Sequence, residues 1–340
     1  MHEVEASSDY HRAKGEEEHI LQLLNKRKIA YAHIGPENSR TVIIFFHGLF
    51  GVGTASSIPK PFLENGGAHW IAPTLPGMGN SSDRDLSVPY HVSLARDMSE
   101  LLSHFYPTDA YDKLYLSGGS YGTVQAQMLY GAPYDLFPPG RKIAGCLLLS
   151  GFSPLKYHVG YEKSLSWQNW FSIGPPTQIL PFHMLQWLFR TIVGFNLKSV
   201  DGAKKFLHSS LFHKMDDHER LRLKHWLLDN ELSEDDFVEK MARGAVENCR
   251  NWDGFMEVSD VIHSDWGFEP KTLDDQHASK PILIVGSEAD HIGGSTSDWL
   301  VENYKSSSFR LLPGGHISSL FYMDELWREL MKRSERLISV

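Results

Sequence analysis

Three side chains of this 340-residue chain have the types and settings to do nucleophilic chemistry together: Ser120, Asp290 and His316. Ser120 stands in Gly118-Gly119-Ser120-Tyr121-Gly122. Leu114, Tyr115 and Leu116 before it read as a short buried strand, and Val124, Ala126, Met128 and Leu129 after it suggest a helical period. A turn that sharp needs small flanking residues and thrusts the serine out at a helix N-terminus, where free N–H groups and the helix dipole favour negative charge. A serine hydroxyl is a poor nucleophile until a base takes its proton during attack. His316, behind Pro313-Gly314-Gly315, can supply that base, because imidazole titrates near neutral pH and can return the proton to a leaving group. A carboxylate must then hold the other ring nitrogen, and Gly286-Ser287-Glu288-Ala289-Asp290 offers two, Asp290 and Glu288. The glycine-serine pattern alone decides little, since any glycine-rich strand-to-helix turn reads the same way.

The elements that must position these residues alternate along the chain. Thr41 to Phe46 is a continuous β-branched and aromatic run, the mark of a strand buried on both faces. Strands are also expected at Lys28 to His33 (an edge strand), His69 to Pro73, Ile143 to Leu149, Pro281 to Val285 and Phe309 to Leu312. Helices are expected within Glu16 to Leu24, within Ser56 to Asn65, over Val92 to Phe105 and over Ser319 to Leu337. Such alternation predicts an α/β fold, a mostly parallel sheet flanked by helices. It stops after Ser150-Gly151. From about Pro154 to Asn251 the chain reads as helical and rich in aromatics, a block placed to lie over the carboxyl edge of the sheet, where open α/β sheets bind ligands. The expected organisation is a polar lead-in over 1–26, an α/β core over 27–153 and 252–340, and an inserted helical cap over 154–251.

Composition narrows the function classes. A hydrophobic fraction of 41% and a charged fraction of 22% suit a globular protein with a substantial core. A formal charge of -9 without a dense Lys/Arg run argues against nucleic acid as a partner. The histidines, though many, show no metal-binding spacing, so no metal and no cofactor are expected; His218 and His225 around Glu219 read as a solvated helical face. Cys146 and Cys249 imply no disulfide framework. The polar, acidic N-terminus lacks an apolar signal core, and the most apolar stretch, Ile179 to Phe195, is interrupted by Pro181, His183, Gln186 and Arg190 and reads as a buried helix rather than a membrane span. A cytoplasmic protein with a small-molecule substrate is the expectation.

Taken in order, His47-Gly48 after an early strand, the Gly118 to Gly122 turn, the Gly286 to Asp290 loop and Pro313-Gly314-Gly315-His316 after the last strand resemble the motifs of the α/β-hydrolases with a helical cap. The resemblance covers nearly everything after residue 28. It implies a cofactor-free serine hydrolase with Ser120, Asp290 and His316 as its triad, the spacing favouring Asp290 over Glu288. It also implies an oxyanion hole from the backbone N–H groups of Leu49 and Tyr121, with His47 bracing the loop. A serine nucleophile separates the chain from family members that attack with aspartate. Gly-Gly-Ser-Tyr-Gly is similar to the proline iminopeptidase turn, but His-Gly-Leu-Phe-Gly departs from the His-Gly-Gly-Pro-Gly loop usual there, and neither Glu162 nor Glu247 can be assigned to hold a substrate amine. An aromatic-rich cap favours an apolar or aromatic ester or lactone, hydrolysed through an acyl-enzyme, with Phe50, Trp167, Trp170, Phe171 and Trp187 as candidate substrate contacts. An aminopeptidase, a slow-turnover small-molecule receptor and a lipase working at a membrane surface are the alternatives.

Overall fold

The computed structural model describes residues 17–290 and 296–338, so most of the expected lead-in lies outside the described residues. Eight strands form one sheet: β1 (His19–Gln22), β2 (Lys28–Ile34), β3 (Thr41–Phe46), β4 (His69–Pro73), β5 (Lys113–Gly119), β6 (Ile143–Leu149), β7 (Ile282–Ser287) and β8 (Ser307–Leu312). Their spatial order is β1-β2-β4-β3-β5-β6-β7-β8, antiparallel for β1 with β2 and β2 with β4, and parallel from β4 onward.

The continuous apolar runs follow from cover on both faces. Successive side chains of a strand point to opposite sides. Val42, Ile44, Leu114, Leu116, Cys146, Leu148, Ile282 and Ile284 enter one core, while Ile43, Tyr115, Leu147, Leu149, Leu283 and Val285 enter the other. Helices α1 (Lys60–Glu64), α2 (Tyr90–Phe105) and α3 (Gly122–Tyr130) come before the helical block. Leu94, Met98 and Leu101 of α2 and Val124 and Met128 of α3 cover the first face. Phe62 of α1 covers the second, with Leu326, Trp327 and Leu330 of the closing helix Met323–Ile338.

Between β6 and β7 come α4 (Trp167–Ser172), α5 (Pro176–Ile179), α6 (Met184–Asn196), α7 (Val200–Ser210), α8 (Asp217–Asp229), α9 (Glu234–Asn248), α10 (Asp253–His263) and α11 (Asp275–Ala278). Then α12 (Ser297–Asn303) precedes β8, and α13 (Met323–Ile338) ends the fold. Leu207, Phe212, Leu223, Leu227, Phe237 and Val238 give the block a core of its own, closed against the sheet domain by Phe321.

Three expectations are corrected. The helix expected within Glu16 to Leu24 is instead β1, paired antiparallel with β2 through a turn closed by Leu23 N–H to Arg27 O (2.8 Å). His19 stacks on Tyr31 across the pair, and such cross-strand contacts, absent from a helical count, decide the outcome. Lys28 to His33 is therefore not the edge. Finally, Ile179 to Phe195 is neither continuous nor buried. Phe182 and His183 adopt left-handed backbone conformations (φ 57° and 52°) after Pro181, which separates α5 from α6. Ile179, Phe182, Trp187, Leu188, Ile192 and Phe195 are exposed, because nothing among the described residues packs on the outer side of α6. No helix of the described residues is long and apolar enough to cross a membrane.

Candidate active site

Ser120 sits where β5 turns into α3. Its backbone takes the left-handed conformation (φ 51°), which costs a non-glycine residue about 1–3 kcal/mol and persists only where its surroundings hold it. The holding contacts are Ser120 N–H to Leu149 O (2.8 Å) and two donors to Ser120 O, Thr123 N–H (3.1 Å) and Thr123 Oγ1–H (2.6 Å). The flanking glycines are needed for space. A Cβ on Gly118 would run into the Gly122 carbonyl, and one on Gly122 into the Phe46 carbonyl.

The loops after β7 and β8 meet at Ala289 N–H to Gly314 O (2.9 Å). This join brings the side chains of Asp290 and His316 together, with His316 Nδ1 at 2.9 and 3.0 Å from the two Asp290 carboxylate oxygens. The Asp290 side chain is fully buried, whereas Glu288 is exposed and only its backbone N–H is engaged, to Leu312 O. The geometry thus pairs His316 with Asp290 rather than with Glu288.

Glu219, read from sequence as part of a solvated face, is only 4% exposed. It reaches from α8 into the His316 loop, where it accepts a hydrogen bond from Ser318 Oγ–H and lies against Gly314 (φ 94°). Arg222, one helical turn on, donates to Phe321 O (2.8 Å) and to Glu325 (2.6 Å). The helical block is therefore bonded to the segment that carries the histidine. A single carboxylate among flanking histidines gave no sign of this in the sequence.

Across from Ser120 is the loop after β3. His47 Nδ1–H donates to Gly48 O (2.8 Å), and His47 Nε2 accepts from Leu75 N–H (3.0 Å), a pattern that requires the neutral ring. Burial lowers its pKa to about 4, only partly offset by the bond to Gly48. Gly48 lies against the Ser120 side chain, so that a Cβ there would be 3.3 Å from Ser120 Cβ. Among the described residues neither Leu49 N–H nor Tyr121 N–H has an acceptor, and both residues border the same cavity as Ser120.

Ser120, His316, Leu49, Tyr121 and Phe50 line one cavity of about 1060 Å³. Phe50 packs its ring 5.5 Å from that of Phe255. Trp167, Trp170, Phe171 and Trp187, the other expected substrate contacts, are not among the residues that line it. Their own helices face the cavity with other residues: Asn169 and Ser172 from α4, and Gln186, Phe189 and Val193 from α6. The spacing of these last three, i, i+3 and i+7, marks one helical face. Trp187 lies off it, stacked under Arg190 (4.7 Å). Choosing by aromatic content selected the outer surface; phase along the helix would have selected the inner one. Among the described residues no group of three metal-ligating side chains is present.

A sequence profile described as the Alpha/beta hydrolase family matches residues 43–330. No curated protein matches the chain in sequence. Solved structures that it resembles include a hydrolase from Pseudomonas aeruginosa (TM-score 0.55, 13% identity, 95% of this chain and 99% of the other). An esterase from a Rhodococcus species is similar to the same degree (TM-score 0.55, 14% identity, 94% and 98%). So is a thermophilic esterase from Thermogutta terrifontis (TM-score 0.53, 13% identity, 94% and 99%). At such identities these likenesses concern the fold. With the profile spanning most of the chain and the sheet order and site loops described above, this protein belongs to the alpha/beta hydrolase family.

Proposed function

We propose that the protein is a cofactor-free serine hydrolase that cleaves a carboxylic ester or lactone of a small, apolar or aromatic substrate, with residues 154–251 as its cap. The observation that carries this reading is the His316–Asp290 pair opening onto the same cavity as Ser120 and two unpaired N–H groups. In the first half-reaction Ser120 Oγ attacks the carbonyl carbon while its proton passes to His316 Nε2. Asp290 accepts from Nδ1–H, which fixes the tautomer and stabilises the imidazolium. The carbonyl oxygen becomes an oxyanion that accepts from Leu49 N–H and Tyr121 N–H, donors worth roughly a hundredfold or more in rate each. Collapse breaks the bond to the leaving alkoxide, which takes the proton from His316 and leaves an acyl-Ser120. Water then attacks the acyl carbon and gives its proton to His316. The second collapse releases the acid and re-protonates Ser120.

The aminopeptidase alternative needs a cavity carboxylate free to hold a substrate amine. Glu18 and Glu247, which line the cavity, both accept from Asn80 Nδ2 (2.6 and 2.9 Å), and Glu247 is also paired with Arg250 (2.7 Å). The lipase alternative draws support from the exposed outer side of α6 and from charge. Between Lys156 and Val200 the chain carries Lys156, Lys163, Arg190 and Lys198 against the single acid Glu162, in a protein of net charge -9. Exposed aromatic and aliphatic side chains in a segment with more cations than acids suit an anionic lipid surface, although Lys156 is paired with Asp265 (2.5 Å).

The deciding experiment is labelling with a broad serine-reactive phosphonate in wild type and Ser120→Ala, followed by panels of esters, lactones and aminoacyl amides. Labelling of wild type alone and turnover of esters or lactones is the expected result. A label that persists in Ser120→Ala would remove the mechanism, and rapid cleavage of prolyl amides without ester turnover would favour the aminopeptidase. A steep rise in rate above the substrate's aggregation point would favour the lipase.

A further inference from the structure

Gln186 is the one cavity-lining side chain among the described residues whose buried polar atoms all lack a partner. It is 4% exposed, it stands on the inner face of α6 beside Phe189 and Val193, and neither its Oε1 nor its Nε2 has a hydrogen bond. A buried amide left unpaired costs about 1–3 kcal/mol, and native proteins rarely retain one without use. Met184, Leu185, Trp187 and Leu188 show that this helix accepts apolar residues freely, so packing alone gives no reason for a glutamine there. The nearby polar groups do not share its state. Ser259, which also lines the cavity, is bonded to Thr177 Oγ1 (2.5 Å) and accepts from Gln178 Nε2 (3.2 Å).

The chemistry of the amide narrows what could meet it. A carboxamide is neutral, accepts at Oε1 and donates from Nε2, so its best partner is a neutral group that both donates and accepts. An ionised carboxylate or ammonium would be buried there without a counter-charge, at high cost. Of the cavity's charged side chains, Lys240, Arg243, Glu247 and Arg250 belong to α9 and the residues just after it and Glu18 to the segment before β1, whereas α6 packs on α4, α5, α7 and α10. We propose that the substrate carries a hydroxyl group, distinct from the bond that is cleaved, and that Gln186 selects it by accepting its proton at Oε1 and donating to its oxygen from Nε2. The inference rests on the serine-hydrolase reading for the identity of the bound molecule, and names the class of that molecule as a hydroxylated ester or lactone.

The test uses p-nitrophenyl esters of a mid-length fatty acid, unsubstituted and with one hydroxyl at successive carbons, and a matching series hydroxylated on the alcohol side. In wild type one hydroxylated ester should exceed its parent in kcat/KM by about tenfold or more, because the parent leaves the buried amide unpaired. In Gln186→Met, which keeps length without polar atoms, and in Gln186→Leu, that ratio should fall to about one. Leu188→Ala, on the outer side of the same helix, should keep the wild-type ratio. A wild-type profile flat across both series, or a preference that survives both Gln186 variants, would overturn the assignment. If no ester is turned over at all, the hydrolase reading fails separately, and binding decides for Gln186. In the Ser120→Ala protein, calorimetric titration with matched alkanols and alkanediols should show one diol binding about tenfold tighter than its alkanol. That difference should vanish when Gln186→Met is added; equal affinities throughout would overturn the proposal whatever the chemistry.

Discussion

Strand β6, IAGCLLL, and helix α6, MLQWLFRTIVGFN, both carry leucines among other large apolar residues, yet Leu148 is fully buried and Leu188 is 54% exposed. The strand is bounded by β5 and β7 in the plane of the sheet and by helices above and below it, so every one of its side chains meets protein. The helix has cover on one side only, and part of that side is cavity wall. An apolar run therefore means burial when the topology supplies cover in every direction the side chains point. Where it does not, leucines and aromatics become surface, and an extended apolar surface is a place for partners.

The largest effect that tests this contrast is on turnover. If catalysis belongs to the sheet's loops, Asp290→Asn should lower kcat by about 10⁴ without unfolding the protein, since the wrong imidazole tautomer is then held in place. Trp187→Ala, on the outside of the block, should change kcat/KM on a short soluble ester by less than about twofold. Steady-state kinetics on one ester compares the two. A hundredfold loss in Trp187→Ala would mean that the outer aromatics fold inward onto substrate.

Next in size is stability. Leu148→Ala deletes a fully buried side chain and should cost about 2–5 kcal/mol, whereas Leu188→Ala, a change of the same atoms, should stay within about 0.5 kcal/mol. Urea unfolding with unchanged slopes is the measurement. Equal losses would show that the exposed side of α6 is covered in solution, by a second copy or another partner.

The buried histidine of the loop after β3 adds a pH dependence to this stability. His47 has its pKa lowered by burial to about 4, against about 6.5 in an unfolded chain. Between these values the unfolded state binds the proton and the folded state does not. Its contribution is therefore complete above about pH 6.5 and declines as pH falls toward 4, by about 1.4 kcal/mol per unit. His69, lowered to about 3 mainly by burial and then by the charge of His33, acts in the same direction. Unfolding free energies across this window should fall with that slope per histidine. A flat profile would mean that these rings are not buried as described.

What could be read from the sequence divides along the same line. The strands whose runs point into two cores, and the loops at their carboxyl ends, were legible because a parallel sheet leaves few other uses for a β-branched run followed by Gly and Pro. The loops that carry Ser120, Asp290 and His316 were placed that way. Strand β1 was missed because four residues carry too short a period to separate strand from helix, and its partner lies across a turn. The residues that line the cavity could not be singled out by aromatic content, which says nothing of direction. Gln186 was visible only as an interruption, and its phase with Phe189 and Val193 was the available signal. Glu219 carried no local signal, since its partner Ser318 is 99 residues away.

The smallest effect lies within the serine turn, where cover and openness alternate between adjacent glycines. Gly118 and Gly122 are closed in by backbone carbonyls that cannot move without dismantling the junction of β3, β5 and α3, so alanine at either should cost about 1–3 kcal/mol. Gly119 has the same place in the motif's appearance and a different one in space. Its φ is not in the left-handed region, and a Cβ there would meet only Phe45 Cζ, at 3.9 Å, an ordinary contact. Alanine at Gly119 narrows the unfolded chain's freedom without a clash, so Gly119→Ala should raise stability by about 0.4–1 kcal/mol. Thermal unfolding of the three variants side by side gives the answer. Were Gly119→Ala to destabilise as much as Gly118→Ala, the turn would be packed from the Phe45 side as well, and the space now open beside Ser120 would have to be narrower than the structure shows.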